Sequence, residues 1–178
     1  MIWLISANAS VYDHYSSFTE NGYIDWHQTA KYKIGDIVYI YCTKPVQMIR
    51  YKAVVTAINM PFDEITDDKE FWKDVEQYEK AKKDKYCRLV LLNEIYNEGL
   101  SLSFLIENGL SCAPRGPQKV SVGLSDYISR MLNENENIIK VTNVSVFSDA
   151  FGSCYSLESV YLRQIKKNIS FSKSLISE

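Results

Sequence analysis

The stretch Gly35-Asp36-Ile37-Val38-Tyr39-Ile40-Tyr41-Cys42 decides the fold, because it joins a turn signal to the most strand-prone run of the chain. Gly-Asp is typical of a turn, and β-branched and aromatic residues favour an extended backbone. A second strand-prone run occupies residues 48–58, after a short link that contains Pro45. Two strands joined by a short link predict an antiparallel pair, and therefore a curved sheet or barrel.

Elements of both kinds are predicted on either side of this pair. Strands are expected at 2–6 and 86–92, with a brief one at 120–122, and helices at 11–21, 63–84, 100–108, 124–132 and 156–165. We therefore expect an α+β fold. The Asn/Glu run at 133–137 is the one low-complexity stretch of the sequence. It predicts a boundary between a domain at 1–132 and a linker with a C-terminal helical extension at 133–178.

Composition limits the classes of function. The 178 residues are 46% hydrophobic and 24% charged, with a net charge of −2, which is typical of a soluble globular protein. That charge excludes a global basic field, so any contact with nucleic acid must be local. The four cysteines are widely spaced, and neither a signal peptide nor a membrane span is evident. We expect a cytoplasmic protein with reduced thiols and no membrane partner.

Three segments together resemble the EVE family: Trp-Leu-Ile-Ser-Ala-Asn at 3–8, Ile-Asp-Trp at 24–26 and Gly-Asp-Ile-Val-Tyr-Ile-Tyr at 35–41. EVE domains belong to the PUA-like superfamily, together with ASCH and YTH domains, and the resemblance covers about residues 1 to 130. It implies a small curved β-barrel with flanking helices. It also implies a pocket for a flipped, modified base, methylated above all, and use as the sensor of a restriction or defence system.

The resemblance places Trp26 and Asn8 in this base pocket, the first as a cage aromatic and the second as a hydrogen-bonding residue. Trp26 is also typical of a core residue, and Asn8 of a helix cap. Tyr41 and Tyr39 share one strand face by the period of two, and Tyr41 is the pocket candidate. The complete predicted base pocket is Ser6, Asn8, Trp26, His27, Tyr41 and Phe62. A second cage wall is needed, and Met60, Phe62 and Trp72 are candidates for it.

A phosphate contact is predicted in the Pro-Arg-Gly-Pro loop at 114–117. Arg115 can bind phosphate in a forked geometry, and the neighbouring Lys119 can add a second cation. A solvated role for both side chains is the alternative. The expected partner is DNA that carries modified bases, or RNA, with a nuclease or motor subunit as effector.

No catalytic signature is evident, so we expect neither an enzyme nor a metal or cofactor. His14 and His27 lack metal-ligand spacing, and adjacent Asp67 and Asp68 are typical of a solvated face. Two other functions remain open: RNA binding in translation or tRNA metabolism, and a small ASCH-like hydrolase. The hydrolase requires a Lys, Glu and Thr cluster, for which Lys44 and Glu94 are the available residues.

Overall fold

A computed structural model describes residues 1–133 of the chain. The predicted boundary at 133, the tail and its helix at 156–165 therefore lie at or beyond the end of the described residues. The strands are β1 (Ile2–Ala7), β2 (Tyr23–His27), β3 (Ile37–Cys42), β4 (Met48–Met60), β5 (Tyr86–Glu94) and β6 (Gln118–Lys119). The helices are α1 (His14–Asn21), α2 (Val75–Ala81), α3 (Leu102–Glu107) and α4, which covers 122–133.

The six strands form one mixed sheet in the order β2-β5-β4-β3-β1-β6. β3 and β4 pair antiparallel, as their short link predicts, while β1 and β3 pair parallel. The carboxylate of Asp36 accepts hydrogen bonds from the Trp3 indole at 2.8 Å and from the Lys33 amide at 3.0 Å. This aspartate therefore fixes the Gly-Asp turn against β1, and the α+β prediction is confirmed.

Each face of the sheet carries its own core, because alternate side chains of a strand point to opposite faces. Trp3 and Ile5 of β1 belong to the cluster that packs with Phe18 of α1. Leu4 belongs to the other cluster, with Leu105 of α3 and residues of α4. No described helix is both long and apolar enough to cross a membrane.

The long helix predicted at 63–84 is wrong in its first half. Residues Phe62–Glu64 and Lys69–Phe71 form isolated turns of 3-10 helix, and regular α-helix begins only at Val75. Trp72 instead forms an antiparallel bridge with Tyr12. Tertiary pairing with the chain after β1 therefore overrides the helical spacing of the aromatic residues. The predicted strand at 120–122 is also displaced, since the pairing residues are Gln118 and Lys119.

Candidate nucleobase pocket

A surface pocket lies at the β2 edge of the sheet, where β2, the chain after β1 and the segment around residue 72 meet. Its volume is about 190 Å³. Six of its ten lining residues carry aromatic rings. The lining consists of Asn8, Val11, Tyr12, His14, Ile24, Asp25, Trp26, His27, Trp72 and Tyr86.

The aromatic rings support one another by edge and tilted contacts. The centroids of Trp26 and His14 are 5.2 Å apart with planes inclined by 36°. Tyr12 contacts Trp72 edge-on at 5.3 Å and His14 at 5.0 Å. Such arrangements are favourable for π-systems. They fix the ring orientations before any ligand arrives.

The loop after β1 positions one wall through a local turn. The Asn8 side-chain oxygen accepts hydrogen bonds from the Ser10 amide at 3.0 Å and the Ser10 hydroxyl at 2.8 Å. The Asn8 backbone oxygen accepts from the Val11 and Tyr12 amides. Asn8 therefore organises the loop, while α1 is capped by Asp13 and not by Asn8, Ser6 or Ser10.

The opposite wall is attached to this loop by backbone pairing. The Asp13 amide donates to the Phe71 carbonyl, and the Lys73 amide donates to the Val11 carbonyl, both at 2.8 Å. The Trp72 indole donates to the Asp68 carboxylate at 3.0 Å. Trp72 is thus held beside Tyr12, and of the three candidates for a second wall, Met60, Phe62 and Trp72, it is the one that lines the pocket.

The charges near the pocket are neutralised. Asp25 lies in the lining, and its carboxylate accepts from Arg88 Nε at 2.7 Å, Arg88 Nη2 at 2.8 Å and the Thr66 amide at 2.9 Å. Burial lowers the pKa of His14 to about 4, against the weaker opposite effect of Asp13. Burial also raises the pKa of Asp68. The paired Asp25 and the neutral His14 therefore leave no unpaired charge of their own in the lining at neutral pH.

Three of the predicted pocket residues come together here: Asn8, Trp26 and His27. Asn8 is exposed, Trp26 is half-buried, and His27 lies at the rim, where its Nε2 is 3.3 Å from Asp84. Among the described residues no hydrogen-bond partner of the Asn8 side-chain amide nitrogen is found. That nitrogen can therefore donate to a ligand.

Three other predicted pocket residues lie outside the lining. Tyr41 is 2% exposed and belongs to the core on the α3 and α4 side of the sheet, so its placement in the pocket is corrected. Ser6 pairs with Tyr41 in the parallel register of β1 and β3, and alternation puts it on the same face as Leu4. Phe62 packs behind the lining, with its ring 6.2 Å from that of Tyr86.

Tyr12, His14 and Tyr86 line the pocket but were not predicted to do so. Tyr12 has the spacing of a helix residue, and Tyr86 begins a strand, so neither carries a local signal of a surface role. For His14 the sequence suggests only a metal-ligand role, which its spacing does not support. The pairing of Tyr12 with Trp72 joins segments 60 residues apart, which no local pattern indicates.

The predicted phosphate-binding residues lie near the other edge of the sheet. Lys119 is on β6, with its Nζ 5.8 Å from the centroid of the Trp3 ring. Lys119 pairs with Trp3, and Gln118 with Leu4, in an antiparallel register. The preceding loop with exposed Arg115 therefore leads toward the end of β1 that Asn8 follows. A phosphate role for Arg115 and Lys119 stays a prediction.

The candidate residues for a metal site or for a Lys-Glu-Thr cluster do not come together at the pocket within residues 1–133. That range contains no group of three or more His, Cys, Asp or Glu side chains arranged to hold a metal ion. Glu94 at the end of β5 accepts from Arg50 at 3.4 Å. Lys44 is exposed in the link between β3 and β4, and neither residue lines the pocket.

Solved structures with the same architecture include an ASCH protein from Zymomonas mobilis, with a TM-score of 0.54 and 14% identity over 73% of this chain and 94% of that chain. The fold is that of an ASCH domain. A protein from Rhodopseudomonas palustris is similar at a TM-score of 0.51 and 13% identity, over 73% of this chain and 91% of its own. A protein from Pseudomonas putida is similar at a TM-score of 0.50 and 13% identity, over 74% of this chain and 99% of its own.

At these identities the likenesses show the fold alone, and it is an α+β fold, as the resemblance to EVE domains implies. No family model matches the sequence, and no curated protein is similar to it. The EVE family itself therefore stays a hypothesis. At identities of 13 to 14% these likenesses show a shared architecture, but they assign no function to any residue of this chain.

Proposed function

We propose that this domain binds nucleic acid by taking one flipped, modified base into the pocket between Trp26 and Trp72. The observation that supports the proposal is the concentration of six rings around one surface cavity at a sheet edge. A flipped base needs π-faces to stack on and a few polar groups for its edge. The aromatic walls of the pocket provide the π-faces, and Asn8, His14 and His27 provide the polar groups.

The size of the pocket fits one ring system. An apolar cavity of about 150 Å³ accommodates benzene, and this pocket of about 190 Å³ is slightly larger. A single heteroaromatic base therefore fills it, while a dinucleotide does not. The open side at the rim leaves room for the backbone of the strand to stay outside.

The absence of a free charge favours a base over a charged ligand. The one carboxylate in the lining, Asp25, is already paired with Arg88. A cationic ligand would find no unpaired anion in the lining, and an anionic ligand would find no unpaired cation. In this proposal the domain binds its ligand without chemistry, and a nuclease or motor subunit acts as its effector.

Binding to oligonucleotides tests the proposal. Fluorescence anisotropy should be measured with DNA and RNA strands that carry one methylated cytosine or adenine, and with their plain counterparts. Stacking on an aromatic side chain contributes about 1–3 kcal/mol per base. Trp26→Ala is therefore expected to weaken binding of the modified strand by about tenfold, since 1.4 kcal/mol corresponds to a factor of ten.

A matched control is Phe104→Ala, which removes an aromatic ring that is 45% exposed on α3, on the other side of the sheet. Its affinity should equal that of the unsubstituted protein. Equal binding of modified and plain strands, or unchanged affinity in Trp26→Ala, would refute base capture. Preference for RNA over DNA would assign the domain to the RNA-binding alternative, with the same pocket.

A further inference from the structure

His14 is a buried polar side chain of the pocket lining, and unlike Asp25 it forms no ion pair. It begins α1 and is 8% exposed. Its ring is enclosed by Trp26 at 5.2 Å and Tyr12 at 5.0 Å. No side chain within residues 1–133 forms a hydrogen bond with it; its hydrogen-bond partner is the backbone of Tyr12, and Asp13 and Lys73 act on it only through their charges.

An imidazole has two nitrogens that point in different directions. Where one of them donates to a backbone carbonyl, the neutral ring keeps its lone pair on the other nitrogen. With the Tyr12 backbone as partner of the first, the second nitrogen is left as an acceptor on a residue that lines the pocket. A ligand that fills the pocket without bringing a donor would leave this acceptor unpaired, which costs free energy, so the nitrogen favours a ligand that brings a donor.

Burial keeps this ring neutral at physiological pH, since the pKa of His14 is lowered to about 4. A protonated ring would offer only donors, whereas the neutral ring offers the acceptor. Asn8 at the rim offers a donor through its side-chain amide. The two residues therefore present opposite hydrogen-bonding groups to a ligand that stacks on Trp26.

We propose that His14 accepts a hydrogen bond from an exocyclic N–H of the captured base, which makes the pocket specific for amino-bearing bases and their monomethylated forms. This inference rests on the base capture proposed above. Adenine, cytosine and guanine derivatives carry such an N–H, and a dimethylated amino group has none. Sites built to hydrogen-bond a ligand group discriminate strongly against analogues that lack it.

The test compares monomethylated with dimethylated bases in otherwise identical single strands. Three pairs are required: N6-methyladenine with N6,N6-dimethyladenine, N4-methylcytosine with N4,N4-dimethylcytosine, and N2-methylguanine with N2,N2-dimethylguanine. At least one pair should show about tenfold tighter binding of the monomethylated strand, as expected for one buried hydrogen bond. Equal binding of both members of each pair would overturn the inference.

His14→Phe shows whether dimethylated bases bind less tightly because they lack the hydrogen bond or because their second methyl group is too bulky. Phenylalanine keeps a planar ring but has no nitrogen. The ratio of the affinities for the monomethylated and dimethylated strands should therefore fall to about one. A preference that persists in His14→Phe is steric and overturns the role of His14. His14→Gln, which keeps an acceptor without the ring, should retain part of the preference, and thermal unfolding checks that each variant is folded.

The outcomes for the two proposals are distinct. If no modified strand binds better than its plain counterpart, base capture fails and the role of His14 fails with it. If modified strands bind through Trp26 but monomethylated and dimethylated bases are equivalent, only the role of His14 is refuted.

Discussion

Lowering the pH from 7 to 5 should destabilise the folded domain through His14. The pKa of this side chain is about 4 in the folded chain and 6.5 in an ordinary setting. Between these values the unfolded chain binds more protons, so stability rises with pH. The stability that the folded chain has while His14 is neutral is fully present above pH 6.5 and is lost as the pH falls toward 4.

The magnitude follows from the size of the shift. The two pKa values of His14 differ by about 2.5, that is 6.5 minus 4. At 1.36 kcal/mol for each whole pKa unit, this difference corresponds to about 3 kcal/mol. By pH 5 about 2 kcal/mol of this is lost, since the unfolded His14 is then almost fully protonated and the folded one is not. Asp13 and Lys73 have smaller and opposed effects on the same ring.

Urea unfolding followed by circular dichroism at pH 7, 6 and 5 measures this loss. His14→Phe is the control, because it cannot take up a proton at this position. The unsubstituted chain should lose about 2 kcal/mol more than the variant between pH 7 and 5. The second histidine, His27, is present in both proteins, and its contribution cancels. Equal losses in the two proteins would show that His14 is not held neutral by burial.

Two further predictions concern groups around the sheet. Asp25→Asn should destabilise the domain by about 3 kcal/mol in urea, because it leaves the Arg88 guanidinium without its buried carboxylate. The control Glu79→Gln, in an exposed ion pair, should change stability by less than about 1 kcal/mol. Similar losses of stability in the two variants would refute the greater importance of the buried pair. Cys112→Ser should remove one equivalent of fast thiol labelling at pH 8, since Cys112 is exposed. Cys87→Ala should leave the fast phase unchanged, because burial raises the pKa of Cys87 to about 12, and loss of fast labelling there would contradict its burial.

The sheet was largely predictable from the sequence, because strands in this chain have strong local signals. The run at Ile37–Cys42 is almost entirely β-branched or aromatic, and it became β3 as expected. Its partner β4 followed from the short link. The helix at 63–84 failed because Phe71 and Trp72 have helical spacing but are pulled into the core and into the bridge with Tyr12.

The pocket was predictable only where the resemblance to EVE domains supplied it. Asn8 and Trp26 came from matching segments, and both line the observed cavity. Tyr41 failed because position near a strand end does not say which face of the sheet bears the site. The choice of Trp72 among its three candidates depends on a contact between distant segments, and the place of His14 depends on burial; both are properties of the folded chain alone.

In the proposed binding mode one base leaves the stack and enters the pocket beside Trp26. A duplex with 2-aminopurine next to the modified base tests it most directly, because 2-aminopurine becomes brighter when its neighbour is unstacked. At saturating protein the fluorescence should rise with the unsubstituted chain and stay low with Trp26→Ala. No increase with the unsubstituted chain at saturation would contradict base capture.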